Sequence, residues 1–242
     1  MSRKQVRVGC AGWSIPAAHR HLFRDGSSQL ARYATRFPWV EINSSFYRPH
    51  RRETYARWAA SVPRGFRFSV KLPRSISHEA RLRGTGPLLD AFLAQCEGLG
   101  HRLGCLLLQL PPSLALEPRS ASTFLSMLRR RWDGPLACEP RHASWFGERA
   151  EALWQRHRVA RVAADPSPLA GSDVPGGDSM LAYWRWHGSP RMYYSAYGDD
   201  WLAERAAQVA HHRAGLRVVV FDNTAHGHAM ADAARFERRL RR

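Results

Sequence analysis

The chain has 242 residues, of which 44% are hydrophobic and 24% charged, and its formal net charge is +17. That size is normal for one α/β barrel, and the composition fits a globular protein able to bury a large core. No run approaches the length of a membrane span, and an apolar strip such as that around Cys105 to Leu108 is only strand-sized. Cys10, Cys96, Cys105 and Cys138 form no CxxC pair, so they indicate neither a disulfide framework nor a zinc site.

The apolar segments recur in a regular rhythm along the chain. "VRVGCAGW" (6–13) reads as a strand, and "SQLARYATRF" (28–37) follows with helical character. Next come "WVEIN" (39–43) and "RETYARWAAS" (52–61), then "FRFSVKLP" (66–73) and "GPLLDAFLAQCEGL" (86–99). "GCLLLQLP" (104–111) precedes "RSASTFLSMLRRRW" (119–132), and "LACEPRH" (136–142) precedes "GERAEALWQRHR" (147–158). "RVAADP" (161–166) leads into a Pro/Gly/Asp-rich stretch over 166–180, where a sixth helix would be due. "LAYWRWHG" (181–188) precedes "DDWLAERAAQVAHHRAG" (199–215), and "RVVVFDN" (217–223) precedes "HAMADAARFERRL" (228–240). Eight short apolar strands, seven of them followed by helices, suit buried parallel strands joined by crossovers. The expected fold is a single (β/α)8 barrel spanning 1–242, with an irregular loop in place of the helix after strand six. An open doubly wound sheet is the runner-up.

Almost every one of these strands ends in polar residues, and function in a barrel sits at those C-terminal ends. Side chains alternate with period two along a strand. Glu41 and Asn43 therefore share the inward face, as do Glu139 and Arg141, and Arg185 and His187. Val40, Ile42, Trp184 and Trp186 then face the helices. All but two of the 37 Lys and Arg residues are arginine, and only Lys4 and Lys71 are lysine. Arginine replaces lysine where only charge is needed, but not as a compact donor, a base or a Schiff-base amine. Lys71 is thus expected to serve chemistry or a tight ion pair. Both asparagines of the chain, Asn43 and Asn223, also fall at strand ends, and they are expected to meet across the barrel closure.

Glu41 and Glu139 read as an acid/base pair, against a plainer reading as salt bridges to Arg141 or Arg185. Asp165 before Pro166 is a catalytic candidate or a turn cap. His187 and His142 read as bases, metal ligands or hydrogen-bonded structural residues, and His78 follows strand three in a similar position. Arg141 and Arg185 suit a planar anionic group. Histidines at 226 and 228 begin a helix and are not taken as metal ligands. No HExxH, GxGxxG or GxxxxGK[ST] pattern is present, so no metal, dinucleotide or P-loop ligand is expected and the cofactor stays open.

At these strand ends the chain resembles the YecE-like family of bacterial and archaeal proteins, named as domain of unknown function 72. The matching segments are "GCAGWS" (9–14), "FPWVEINSSFYR" (37–48), "FRFSVKLPRSISH" (66–78), "LLLQLPPS" (106–113), "CEPRHASW" (138–145), "ADPSP" (164–168), "YWRWHG" (183–188) and "VFDNTAHGHAMADA" (220–233). They are collinear and span nearly the whole chain. The resemblance implies a TIM barrel. It also implies that the family's characteristic residues fall on Glu41, Asn43, Phe46, Tyr47, Lys71, His78, Gln109, Glu139, Arg141, His142, Asp165, Arg185, His187 and Asn223. Asp222 stands where the family often has a second asparagine, and Pro140 where a Phe is frequent. The resemblance implies no reaction.

The leading expectation is an enzyme doing acid/base or hydrolytic chemistry on a small anionic substrate, a phosphorylated sugar or nucleotide-like molecule, at the barrel mouth. Glu41 and Glu139 would be base and acid, and Lys71 would stabilise developing negative charge. Asp165 and His187 complete the catalytic candidates. Arg185, Arg141, His78, His142 and Tyr47 would hold the substrate, with Asn43, Gln109 and Asn223 orienting its hydroxyls. Nucleic acid is the alternative partner, given the charge of +17 and surface-capable aromatics. A silent scaffold, with its strand-end charges all paired, is the third reading. "MSRKQVRVGC" runs from charged residues straight into a strand with no apolar leader, which sets the expectation of a cytoplasmic protein with no membrane partner. The oligomeric state stays open.

Overall fold

A computed structural model describes residues 5–169 and 171–241. Lys4 lies outside the described residues. Parallel strands β1 (Gln5–Ala11), β2 (Trp39–Ile42), β3 (Arg67–Lys71), β4 (Leu103–Gln109) and β5 (Leu136–Glu139) pair in sequence order. The sixth position is filled by two short pieces, β6 (Ala160–Arg161) and β7 (Ala163–Asp165), split at Val162. β6 pairs with β5, while β7 pairs with β9 (Leu181–Trp186). β9 pairs with β10 (Leu216–Phe221), which returns to β1. The ring therefore closes through a strand that is broken at its middle. The Val162 N–H bridges the break by donating to the Cys138 carbonyl at 2.8 Å.

Seven α-helices pack outside: α1 (Gln29–Tyr33), α2 (Arg52–Ala60), α3 (Gly86–Cys96), α4 (Pro118–Arg129), α5 (Glu148–Arg156), α6 (Asp199–His211) and α7 (His228–Leu240). Among the described residues of 166–180 there is no helix. That stretch contributes only β8 (Gly176–Gly177), antiparallel to β6, so the expected irregular replacement of the sixth helix is observed. Among the described residues no helix is long and apolar enough to cross a membrane.

Strand alternation divides the apolar residues into two cores. Val40, Ile42, Phe68, Val70, Leu106, Leu108, Trp184, Trp186, Val219 and Phe221 pack outward against the helices. Trp39, Cys105, Leu107, Ala137, Tyr183, Val218 and Val220 fill the barrel interior, as the period-two geometry of a closed parallel sheet requires. Gly9 sits on the inward face of β1, where a Cβ would lie 2.0 Å from the Trp39 carbonyl oxygen. Only glycine allows β1 and β2 this approach. From α1, the Tyr33 hydroxyl locks the same edge. It donates to the Trp39 carbonyl and accepts from the Cys10 N–H, each at 2.8 Å.

Inside the barrel the polar atoms are paired before the mouth is reached. Trp39 Nε1 donates to Ser69 Oγ at 2.8 Å, and the Tyr183 hydroxyl also lies 2.8 Å from that oxygen. The Trp39, Tyr183 and Ser69 side chains are fully buried, so each bond avoids a desolvation cost of about 1–3 kcal/mol. The interior thus passes from an apolar floor, through a hydroxyl layer, to charge at the C-terminal end.

Candidate functional site

The strands that end together bring three carboxylates onto one guanidinium. Arg185, only 1% exposed, comes from the end of β9. Its Nε and Nη2 donate to the two oxygens of Glu41 at 3.1 and 2.7 Å, a bidentate pair. Nη2 also donates to Asp222 Oδ2 at 2.9 Å, and Nη1 donates to Glu139 Oε2. The fork of Arg185 therefore joins the ends of β2, β5 and β10. Burial alone would lower its pKa, but Glu41, Glu139 and Asp222 hold it well above the ordinary value.

Glu139 is the second hub. Its Oε1 accepts from Gln109 Nε2 at 3.0 Å and from Arg141, whose Nη2 lies 3.0 Å away. Burial pushes this carboxyl up, yet Arg185, His187 and Arg141 together hold it well below the usual carboxylate range. Asp222 is likewise held low against burial by Arg185 and His187. His187 lies between the two carboxylates. Its Nδ1 is 3.0 Å from Asp222 Oδ2 and its Nε2 is 3.5 Å from Glu139 Oε1. Nε2 is buried with no hydrogen-bond partner among the described residues. Burial opposes protonation of this ring, but Glu139 and the bond to Asp222 raise its pKa above 6.5.

Lys71, the last residue of β3, stands apart from this network. It is 6% exposed and makes no ion pair among the described residues, although Glu41 lies on the adjacent strand. Its Nζ lies 4.2 Å from the centroid of the Phe46 ring. Burial and the neighbouring Arg185 pull its pKa down from 10.5 to about 8, against the opposing pull of Glu139, Glu41 and Asp222. His78 meets the same Phe46 ring edge-on at 4.9 Å. Its imidazole is held below 6.5 by burial and by Lys71, Arg74 and Arg141.

Two cavities flank the charged layer. The larger, about 800 Å³, opens over the ends of β1, β2 and β10 and is lined by Trp13, Glu41, Asn43, Thr224, His226 and Met230 among others. The smaller, about 250 Å³, is lined by Glu139, Arg141, His187 and the Pro166–Pro168 turn. Arginine and lysine are absent from the described lining of the larger cavity, whereas Arg141 borders the smaller one.

The expected residues fall into three groups. Glu41, Glu139, Arg141, Arg185, His187 and Gln109 converge as one hydrogen-bonded layer. Lys71, His78, Phe46 and Tyr47 form a second patch beside it, with the Tyr47 ring edge-on to Phe46 and 73% exposed. The remaining residues point elsewhere. Asp165 accepts from the Tyr197 hydroxyl at 2.7 Å, and burial raises its pKa. His142 caps a short turn through the Ser144 N–H at 3.2 Å. Asn43 and Asn223 do not bond across the closure, contrary to expectation. Asn223 Nδ2 turns to Asp232 Oδ2 on α7, at 2.8 Å, and to the Ser195 carbonyl, at 3.0 Å. Asn43 instead lines the larger cavity, with its Oδ1 buried and unpartnered among the described residues.

Three participants were not among the expected set. Asp222 was visible as a strand-end acid. Tyr183 and Ser69 share the inward parity of Arg185 and Lys71, and the Tyr183 hydroxyl donates to Glu41 Oε2 at 3.0 Å. The Arg185 donors are taken up by carboxylates, whereas the Arg141 side chain is 28% exposed.

A family model described as "Protein of unknown function DUF72" matches residues 7–242. The UPF0759 protein YecE of Escherichia coli K12 is 32% identical over 172 residues, 68% of this chain and 60% of that protein. The UPF0759 protein YunF of Bacillus subtilis 168 is 26% identical over 149 residues, 58% of this chain. The chain thus spans 60% and 52% of the length of these curated relatives. The crystal structure of a DUF72 family protein from Enterococcus faecalis V583 superposes with a TM-score of 0.84 at 22% identity, covering 98% of this chain and 96% of that one. One from Thermotoga maritima MSB8 gives 0.80 at 24% identity, covering 98% and 99%. These likenesses are of fold. With the family model matched over nearly its whole length, the chain belongs to the DUF72 family, the YecE-like family that its strand-end motifs resemble.

Proposed function

We propose that the barrel mouth is an acid/base catalytic site for a small anionic substrate, with His187 and Lys71 as its proton-carrying groups. The observation that carries this reading is a mismatch of charge. Three buried carboxylates, Glu41, Glu139 and Asp222, face two guanidiniums, Arg185 and Arg141. One negative charge is left over, and two titratable cations are available to neutralise it. Their environments move them toward each other, His187 upward from 6.5 and Lys71 downward to about 8. Proton-transfer groups work best with pKa values near the working pH, and this convergence supports that use. Glu41 and Glu139, first expected as base and acid, are better read as the counter-charges that hold Arg185. Arg141 is the group that meets the substrate's anionic end at the smaller cavity.

A silent scaffold would pair all its strand-end charges, and the unpaired Lys71 weighs against it. The nucleic-acid reading rests on the charge of +17. Arginines without an ion pair among the described residues occur at both ends of the barrel, at Arg48 and Arg191 near the mouth and at Arg64 and Arg102 opposite. One face would suit a polyanion better. A thermal-shift screen of phosphorylated sugars, nucleotides and small carboxylates tests the proposal. Wild type should gain melting temperature with at least one of them, and Arg141→Gln should lose most of that gain. A panel that shifts neither protein, with random DNA or RNA binding at low salt and releasing at high salt, would favour the polyanion reading instead.

A further inference from the structure

Lys71 has a property that proton carriage alone does not require. The chain's cations are otherwise arginine, apart from Lys4. Proton carriage at this position is open to histidine and carboxylate as well as to lysine. Addition of a neutral primary amine to a carbonyl carbon is open to lysine alone among the side chains. The surroundings are those that make a lysine nucleophilic. The side chain is desolvated, its ammonium faces the Phe46 ring rather than a carboxylate, and the charge pressing on it most is the like charge of Arg185. On the same Phe46 ring lies His78, whose imidazole is held below its ordinary pKa by burial and by Lys71, Arg74 and Arg141.

We propose that Lys71 forms an imine with a small aldehyde or keto compound that carries a carboxylate or phosphate. This rests on the reading of the mouth as a substrate site and names the substrate class. The Nζ lone pair attacks the carbonyl carbon and forms the C–N bond, while the C=O π electrons move to oxygen. One proton passes from Nζ to that oxygen, directly or through His78, giving a carbinolamine. A second proton, drawn from the His187 imidazolium, reaches the hydroxyl, and the C–O bond breaks to release water. The product is a protonated imine on Nζ, and no oxidant or reductant takes part. Arg141 would bind the anionic group where it borders the smaller cavity.

The test is reductive trapping in native protein at pH 7, with formaldehyde and cyanoborohydride, read by peptide mass mapping. Nα-acetyllysine in the same tube is the reference amine. About a tenth of an amine with a pKa near 8 is neutral at pH 7, against less than about a thousandth of an ordinary lysine. Lys71 should therefore be methylated at least about tenfold faster than the reference, and the preference should vanish in urea. Glyoxylate in place of formaldehyde should label Lys71 in wild type and at least about tenfold less in Arg141→Gln. Labelling of Lys71 no faster than the reference overturns the imine. Fast methylation with glyoxylate labelling equal in both proteins overturns the anionic substrate class. The protonation of His187 is measured separately. A sluggish Lys71 beside a His187 that titrates above its ordinary value would remove the imine and Lys71's part in proton transfer, and leave His187 as the proton-carrying group.

Discussion

Replacing Lys71 by Met separates a lysine kept for chemistry from one kept for structure. Its pKa falls from 10.5 to about 8 on folding, chiefly through burial and then through Arg185. A fall of that size means that the ammonium costs the folded state about 3 kcal/mol at pH 7. Methionine has similar length and no charge, so it removes this cost and still packs on Phe46. The attraction between ammonium and ring, about 1–2 kcal/mol, is lost. The net effect should be between no change and a gain of about 2 kcal/mol, read by urea unfolding with an unchanged slope. The pH dependence follows in sign. A cation with a lowered folded pKa binds its proton better when unfolded, so wild-type stability rises with pH from about 8 to about 10.4. The advantage of Lys71→Met should therefore shrink over that window. A loss of about 3 kcal/mol or more at pH 7 would refute the reasoning and make Lys71 a structural cation.

Arg185→Met should have the opposite outcome. It leaves Glu41, Glu139 and Asp222 buried together without their shared counter-charge, at a cost of about 3–5 kcal/mol or failure to fold, measurable by the same unfolding curves. Tyr183→Phe removes a hydroxyl that lies 3.0 Å from Glu41 and 2.8 Å from Ser69. A loss of about 1–3 kcal/mol by thermal or urea unfolding is expected.

Much of this arrangement is legible in the sequence because alternation is a local rule. Val40 and Ile42 turn to the helices and Glu41 turns inward, and the same parity places Glu139, Arg185 and His187 in one layer. The Pro/Gly-rich run at 166–180 replaces a helix, as its composition suggests. The break at Val162 was hidden, because no Gly, Pro or other turn residue separates Ala160–Arg161 from Ala163–Asp165, and only the pairing with different neighbours divides them. Asn43 and Asn223 share strand-end positions, but the side chain of Asn223 is claimed by Asp232 on the following helix. His142 satisfies a local cap at Ser144. Arg185 read as an anion binder because its three partners lie on strands far away in sequence. Lys71 was marked by its rarity and by the family resemblance, and its lack of an ion pair among the described residues is a tertiary fact.

The central claim is that one leftover negative charge in the mouth is shared between His187 and Lys71. NMR titration of the His187 ring in wild type and in Lys71→Met tests it most directly. The account predicts a wild-type value above 6.5 and a further rise in the variant, since the remaining anion then has one titratable cation instead of two. A His187 that titrates at or below 6.5, or that does not respond to loss of Lys71, would contradict it.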